Sequence, residues 1–521
     1  MRPEGVPLNG NRQSNPQRAR SRRAMRTTAA CLTTLGTLAV IGCSGDRAED
    51  RLGSGARSRT SSSTTSTSTT PPVVGSDGLG DRYYPKAGNG GYDVTGYDLD
   101  LVVAIDGPDQ IAGTATIDAT TTQSLSSFDL DLLGFTVDKV TVDGTDAAFE
   151  RRDQELVVTP TTPLPSGEEF EVVVSYQGAP GRQIGPVAAL DEGGWIDLDG
   201  YSTVLAEPIG AATWFPANDH PTDKATMTIT ATVADPLEAV ANGHLVERTT
   251  RPDRPGTTTF RWEATEPMSP YLASLTVGEL DLVEDQIGSA ATGTRILNAV
   301  PPSQTGLLTG QFARFAEMIG FFGERWGKYP FADAGNVVVP GLEPIALECQ
   351  TRSVHSLGIF TFLPPTGPGS AESVVAHELA HQWFGDSVSP ARWQDVWLNE
   401  GFATYGEWLW DEHAGGPTVE AAARRVHRDD PRLDVPPADP GTGELFGPTV
   451  YQRAGMFLVE LRRQLGVERF DELARTWLTD HSGSTATTEE FVALAVAAGG
   501  APTQALADAW LHGAELPDLA P

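Results

Sequence analysis

The stretch His377-Glu378-Leu379-Ala380-His381, followed after eighteen intervening residues by Glu400, constrains this chain more than any other. On a helix, residues four apart lie on one face, a turn above each other. His377 and His381 can therefore present two imidazole nitrogens to one point, which suits a small tetrahedral cation such as zinc. Glu378 points about 100° away around the helix. It is better placed to reach a water at the metal than to be a ligand. Glu400 is the natural third ligand, arriving from a second helix packed on the first. Three protein ligands with one open position is the catalytic form of a zinc site. The flanks agree: Ser370 or Ser373 can cap the helix, and Val375, Leu379 and Trp383 recur every four residues on an apolar stripe. Gly385-Asp386 is expected to end it, and a second helical pattern spans about 395–410.

Composition narrows the function. The net charge of -32, from 37 basic and 69 acidic residues, argues against nucleic acid as a partner, because phosphate binding needs a basic face. There are three cysteines, Cys31, Cys43 and Cys349. The first lies in a segment expected to be removed and the second is expected to be modified. That leaves Cys349 without a partner, so the folded part rests on its core and its metal rather than on a disulfide.

Residues 1–42 read as an export signal: Arg18, Arg20, Arg22, Arg23 and Arg26 precede a short apolar run too brief to span a bilayer. The run ends in Val40-Ile41-Gly42-Cys43, which resembles the bacterial lipobox. Cys43 is then expected to carry lipid and hold the protein to the outer side of a membrane; an ordinary cleaved signal and a secreted protein is the alternative. Residues 43–80 read as a tether, since 60–70 contain only Ser and Thr and can bury no core.

From Tyr83 to about 285 the period is two. Tyr97, Leu99 and Leu101 alternate with aspartates, Met227, Ile229, Ala231 and Val233 alternate with threonines, and 156–159, 170–176 and 257–263 read as further strands. An all-β domain over 81–285, made of two sheets wrapped over each other, is expected. The period then changes. Leu308, Phe312, Phe315, Ile319, Phe322 and Trp326 form one helical stripe starting near Leu307, stopped by Tyr329-Pro330-Phe331. A long loop is expected over 430–448. Beyond it, Thr487 and Glu490 form a capping box for a helix beginning at Phe491.

Read together, HELAHQWFGDSVSPARWQDVWLNE and the following GFATY resemble the M1 family of zinc aminopeptidases, the gluzincin group, and the resemblance runs from about Tyr83 to the C-terminus. Trp214-Phe215-Pro216 with Asp219 and Lys224, and Ser269-Pro270-Tyr271-Leu272 before Gly278, are further landmarks. The resemblance implies an N-terminal β-sandwich-like domain over 81–285. A thermolysin-like, mostly helical catalytic domain would follow over 286–521, with no large C-terminal helical domain. It implies one zinc ion per chain.

Three more residues take roles from the resemblance. Ala346-Leu347-Glu348-Cys349 is similar to the family's exopeptidase motif Gly-Ala-Met-Glu-Asn, with Ile345 in place of the glycine and Cys349 in place of the asparagine. Glu348 is kept. A carboxylate there makes a charge-assisted bond to a free ammonium and excludes peptides that continue upstream. Glu207 occupies the position of a second amine contact, although the usual Thr-Gln before it is Val204-Leu205 and the usual Arg is Ala212. Tyr451, in Val450-Tyr451-Gln452-Arg453-Ala454-Gly455, matches the family's oxyanion donor.

The expected activity is hydrolysis of N-terminal residues from peptides with a free N-terminus, by a monomer. Glu378 would be the general base. The same site used as an endopeptidase or an epoxide hydrolase, and a non-catalytic peptide-binding surface lipoprotein, are the alternatives. Cys349, beside Glu348, is expected to make the enzyme sensitive to thiol reagents.

Overall fold

In the computed structural model the described residues are 71–181 and 193–520. The export segment, Cys43 and the tether up to residue 70 lie outside them. The expected tether extended to residue 80, but Val73–Val74 already pairs as a short parallel strand with Leu125–Asp131. Two β-branched residues after Pro71-Pro72 are enough to add to a free strand edge.

The N-terminal half is built on an eight-stranded sheet. Its order is His244–Thr250, Thr257–Met268, Ala225–Ala234, Tyr92–Ala104, Gln110–Thr121, Glu169–Gly178, Thr136–Val142 and Thr145–Asp146. Alternation decides which face is core. Tyr97, Leu99 and Leu101 are buried while the aspartates between them face out, and Leu99 sits in register between Ile229 and Ala115. All five strands read from the sequence are present.

Two smaller sheets accompany the large one, where a single partner sheet was expected. One contains Val73–Val74, Leu125–Asp131, Glu155–Thr159 and Ala148–Arg152; the other contains Gly194–Leu198, Tyr201–Leu205, Leu275–Gly278 and Glu238–Ala241. The physical reason is visible in Tyr201–Leu205, where Ser202 to Leu205 are all buried. A strand covered on both faces has no alternation to read.

The C-terminal half pairs a small mixed sheet with helices. The sheet runs Asp281–Glu284, Arg295–Val300, Asn336–Val339, Ser353–Ser356 and Ala346–Leu347, so Ala346–Leu347 is its edge. The helices that matter for the site are α1 (Phe315–Trp326), α2 (Leu357–Phe362), α3 (Ala371–His381), α4 (Trp397–His413) and α5 (Ala454–Leu465). The stripe expected to start near Leu307 is broken. Gly306–Thr309 forms one short turn, Gly310 leaves helical geometry, and α1 begins only at Phe315. Phe312 and Phe315 are buried all the same. The capping box at Thr487 and Glu490 is present, with its helix starting at Thr488.

Side chains and carbonyls of both halves tie the loops of the C-terminal half to the N-terminal one. Lys224 Nζ donates to the carbonyls of Asp386 (2.7 Å) and Ser387 (3.1 Å). Tyr271 Oη donates to the Gly385 carbonyl at 3.3 Å. The buried Arg352 guanidinium donates to the carbonyls of Ala241, Leu297 and Gly243. A buried cation spread over three carbonyls is satisfied without any carboxylate.

Candidate active site

α3 starts where its cap dictates. Ser370 Oγ accepts the N–H of Ser373, and Ser373 Oγ accepts the N–H of Ser370, so both candidate caps act as a reciprocal pair. The helix ends at His381, four residues before the expected Gly385, but Trp383 stays buried on the same stripe. α4 crosses it closely because Gly406 has no Cβ: one added there would stand 2.8 Å from Ala380 Cβ. That close approach is next to His381, and it brings the first turn of α4, with Glu400, over both histidines.

The three donors converge. His377 Nε2 lies 3.2 Å and His381 Nε2 3.3 Å from the same oxygen, Glu400 Oε2. One ligand atom from each of the three lies within 4.8 Å of the others. His381 and Glu400 are buried, and His377 is mostly so. Burial pushes the Glu400 carboxyl up, yet His381 and His377 pull harder and hold it down at about 2. Burial depresses His377, favouring the neutral imidazole that a metal requires. Two imidazoles and an ionised carboxylate aimed at one point fit a three-ligand zinc site.

The groups behind these donors were not assigned from sequence. His381 Nδ1 faces the Phe384 carbonyl at 3.1 Å. His377 Nδ1 lies 3.8 Å from Glu407 Oε2. Burial, with Asp411 nearby, raises Glu407 to about 7. Glu407 was legible in principle: it is seven residues after Glu400, two turns along the same face of α4. Such partners orient a metal-binding histidine and fix its tautomer.

Glu378, Glu348 and His381 form a second convergent group, again with ligand atoms within 4.8 Å. Glu348 is 2 % exposed and its Oε1 has no hydrogen-bond partner among the described residues. Its backbone is fixed by the residue after His381: Gln382 Nε2 donates to the Glu348 carbonyl at 2.8 Å. Gln382 Oε1 in turn accepts from the Thr351 N–H at 2.8 Å and from Tyr329 Oη at 3.2 Å. Thr351 stands at φ +69, a costly conformation for a β-branched residue. The Gln382 contact, and Gly243 N–H donating to Thr351 Oγ1 at 2.7 Å, hold it there. Glu207 also lines the cavity and its Oε1 too is buried and unpartnered. Burial, and then the other carboxylates, raise Glu207 well above the usual range. Burial raises Glu348 and Glu378 as well, with His381 opposing.

Tyr451 sits in a wide helical turn, Thr449–Arg453, that leads into α5. Its ring stacks on His377, with centroids 5.9 Å apart and planes 20° from parallel. Burial, and then Glu400, Glu207 and Glu348, push its phenol well above 10, so it stays a hydrogen-bond donor. Arg453 fixes the turn by donating to the carbonyls of Trp510, Leu433 and Gly513. Glu207, Glu348, His377, Glu378, His381, Glu400 and Tyr451 all line one cavity of about 770 Å³. Cys349 does not line it. Its thiol is fully buried and burial raises it well above its usual range, so the expected sensitivity to thiol reagents has no exposed thiolate to act on.

Two family models match the chain. The peptidase family M1 domain covers residues 317–510, and the peptidase M1 N-terminal domain covers 94–272. Aminopeptidase 2 of Candida albicans is 25% identical over 411 residues, 74% of this chain and 44% of that protein. Probable aminopeptidase 1 of Saccharolobus solfataricus is 30% identical over 291 residues, 53% of this chain and 34% of that protein. The chain thus spans less than half the length of these curated relatives. A crystal structure of the M1 zinc metallopeptidase from Deinococcus radiodurans, a glutamate-to-alanine mutant bound to a Tyr-Ser-Ala substrate, is 30% identical. It superimposes with a TM-score of 0.76, over 85% of this chain and 99% of that one.

Proposed function

The chain belongs to the M1 family of zinc metallopeptidases, and from that premise we propose that it is an aminopeptidase, removing single residues from the free N-terminus of peptides. The observation that carries this reading is Glu348. It is a buried carboxylate with a free oxygen, within reach of the metal cluster, at the cavity end shared with Glu207. A peptide ammonium is the cation such a pair lacks. The Deinococcus structure, a relative of this chain, has a Tyr-Ser-Ala tripeptide bound as its substrate.

His377, His381 and Glu400 would hold the zinc. When bound, zinc supplies a Lewis acid that polarises a carbonyl and lowers the pKa of water. Glu378 accepts the proton of the attacking water and passes it to the leaving amine. Tyr451 Oη donates to the carbonyl oxygen as charge builds there. Glu348 and Glu207 fix the ammonium of the residue just upstream of the scissile bond, and a peptide that continued upstream would leave these buried carboxylates without a cation, which disfavours endopeptidase action. The complete donor set disfavours a purely scaffolding role.

The test is release of the N-terminal amino acid from a free peptide and its N-acetylated copy, with and without chelator. Cleavage of the free peptide alone, abolished by chelator, is expected; equal cleavage of both would end the exopeptidase reading.

Localisation is part of the proposal. The Val40-Ile41-Gly42-Cys43 stretch supports a lipid anchor at Cys43 on the outer side of a cell membrane, with the acidic enzyme held off by the Ser/Thr tether as a monomer. Palmitate labelling that survives Cys43→Ser would overturn the anchor, and sedimentation of a purified soluble form checks the monomer.

A further inference from the structure

The two ends of the cavity differ in chemistry. One end holds Glu348 and Glu207. From Glu348 the chain can be followed backward along the edge strand Ala346–Leu347 to Ile345 and Pro344, and all of these line the cavity. The strand pairs on one side only, with Ser353–Ser356. Its other edge is free to pair with an extended peptide, whose residues would follow the strand at about 3.4 Å each. A peptide anchored by its ammonium at Glu348 therefore runs toward Pro344, and its second residue stands beside that stretch.

That stretch is flanked by α2. A Cβ added to Gly358 would lie 3.2 Å from Pro344 Cγ and 3.5 Å from Phe362 Cε2, so these two side chains border one spot. Phe360 turns inward and packs on Phe312, with centroids 5.3 Å apart. Phe362, two residues on, points the other way: it lines the cavity and is 75 % exposed. Ile359, Leu363 and Val374 complete the wall. An aromatic ring held so open at the mouth of a cavity has apolar surface to cover.

We propose that Pro344, Ile345, Ile359, Phe362, Leu363 and Val374 form an apolar subsite for the residue after the scissile bond. Phe362 is its specificity-determining residue, so the substrates are peptides with a large apolar second residue. This rests on the aminopeptidase reading. An apolar side chain seated on such a wall changes selectivity by roughly 10- to 200-fold.

The experiment uses the zinc-loaded full chain and the peptide amides Leu-Phe-Gly, Leu-Leu-Gly, Leu-Gly-Gly and Leu-Asp-Gly, with leucine release followed by chromatography. Leu-Phe-Gly is expected to exceed Leu-Gly-Gly at least about tenfold in kcat/KM, mostly through KM. Phe362→Ser should bring that ratio to within about threefold by lowering the rate on Leu-Phe-Gly. Val467→Ser, at another exposed apolar residue outside the cavity, should leave the ratio where it was. Equal rates on the four peptides, or a ratio that survives Phe362→Ser, would overturn the inference and leave the aminopeptidase reading standing. Release of leucine from none of them would overturn both.

Discussion

Two corners of one cavity hold carboxylates of similar burial and opposite character. At the metal corner, Glu400 lies between two histidines and is held ionised, at about 2. At the amine corner, burial pushes Glu207 and Glu348 upward, and His381, shared with the metal corner, only partly offsets it. Each also keeps an oxygen without a partner. Burial alone therefore does not decide the charge of a carboxylate here; the neighbouring cation does. The metal corner has its full set of donors within the chain. The amine corner lacks such a set, and the proposed peptide ammonium would supply the missing positive charge. Unpaired buried carboxylates are costly, so an ammonium of the right reach is bound at the expense of that cost.

The strongest way to break the comparison is at the metal corner. Glu400→Gln removes the charge between the histidines while keeping its shape. Zinc per chain should fall toward zero and turnover with it, below detection, as read by metal analysis and leucine arylamide hydrolysis. Full zinc content in that variant would show that the histidines suffice and that the convergence on Glu400 is incidental.

Next in size is Tyr451→Phe, which keeps the ring on His377 and removes only the hydroxyl. Because that group acts on charge that exists only in the transition state, kcat should drop by roughly 10²–10³ with KM little changed. The amine corner should respond in the opposite manner. Glu348→Gln should lower kcat/KM by roughly 10- to 100-fold, the worth of a hydrogen bond to a charged group, chiefly by raising KM and with zinc retained. If Glu348→Gln lowered kcat alone, the carboxylate would be acting on the chemistry rather than on the ammonium, and the two corners would not be separate.

The corners also differ in how much could be read beforehand. The metal corner was legible because helix geometry turns a four-residue spacing into a shared face, and because a third ligand on a neighbouring helix is a common continuation. The β-rich half was legible wherever strands alternate, and failed at Tyr201–Leu205, where burial on both faces erases the pattern. Glu348 and Tyr451 were found only through family resemblance: neither has a spacing to the histidines that geometry demands. Glu407 had a signal, its two-turn offset from Glu400, that went unused. The wall made by α2 had none, since the six residues Leu357–Phe362 are too few for a helical period to emerge. Which of Phe360 and Phe362 would face the cavity depended on where Phe312 came to rest. The break at Gly310 was hidden for a related reason: its flanking aromatics are buried whether or not the helix is continuous.

The smallest expected effect lies outside the cavity and isolates the rule. Glu155, on a strand of the N-terminal half, is 3 % exposed, and neither of its oxygens has a partner among the described residues. No catalytic reason exists for a cation there. Burial, and then Asp131, Asp129 and Asp77, raise it to about 8. The sign follows from linkage. Between its ordinary value of 4.5 and about 8 the folded chain holds a proton that the unfolded chain has released. Folded-state stability therefore falls as pH rises through that window, and the loss is complete above it. Glu155→Gln cannot ionise, so it should flatten the decline. Its melting temperature should drop less than that of the unmodified chain between pH 6 and pH 8, by roughly 1–3 °C for a chain of this size. A bound peptide should leave the Glu155 contribution as it was, since Glu155 lies outside the cavity. A Glu155→Gln profile parallel to that of the unmodified chain would mean that a buried, unpaired carboxylate stays ionised in this fold, and the contrast between the two corners would lose its cause.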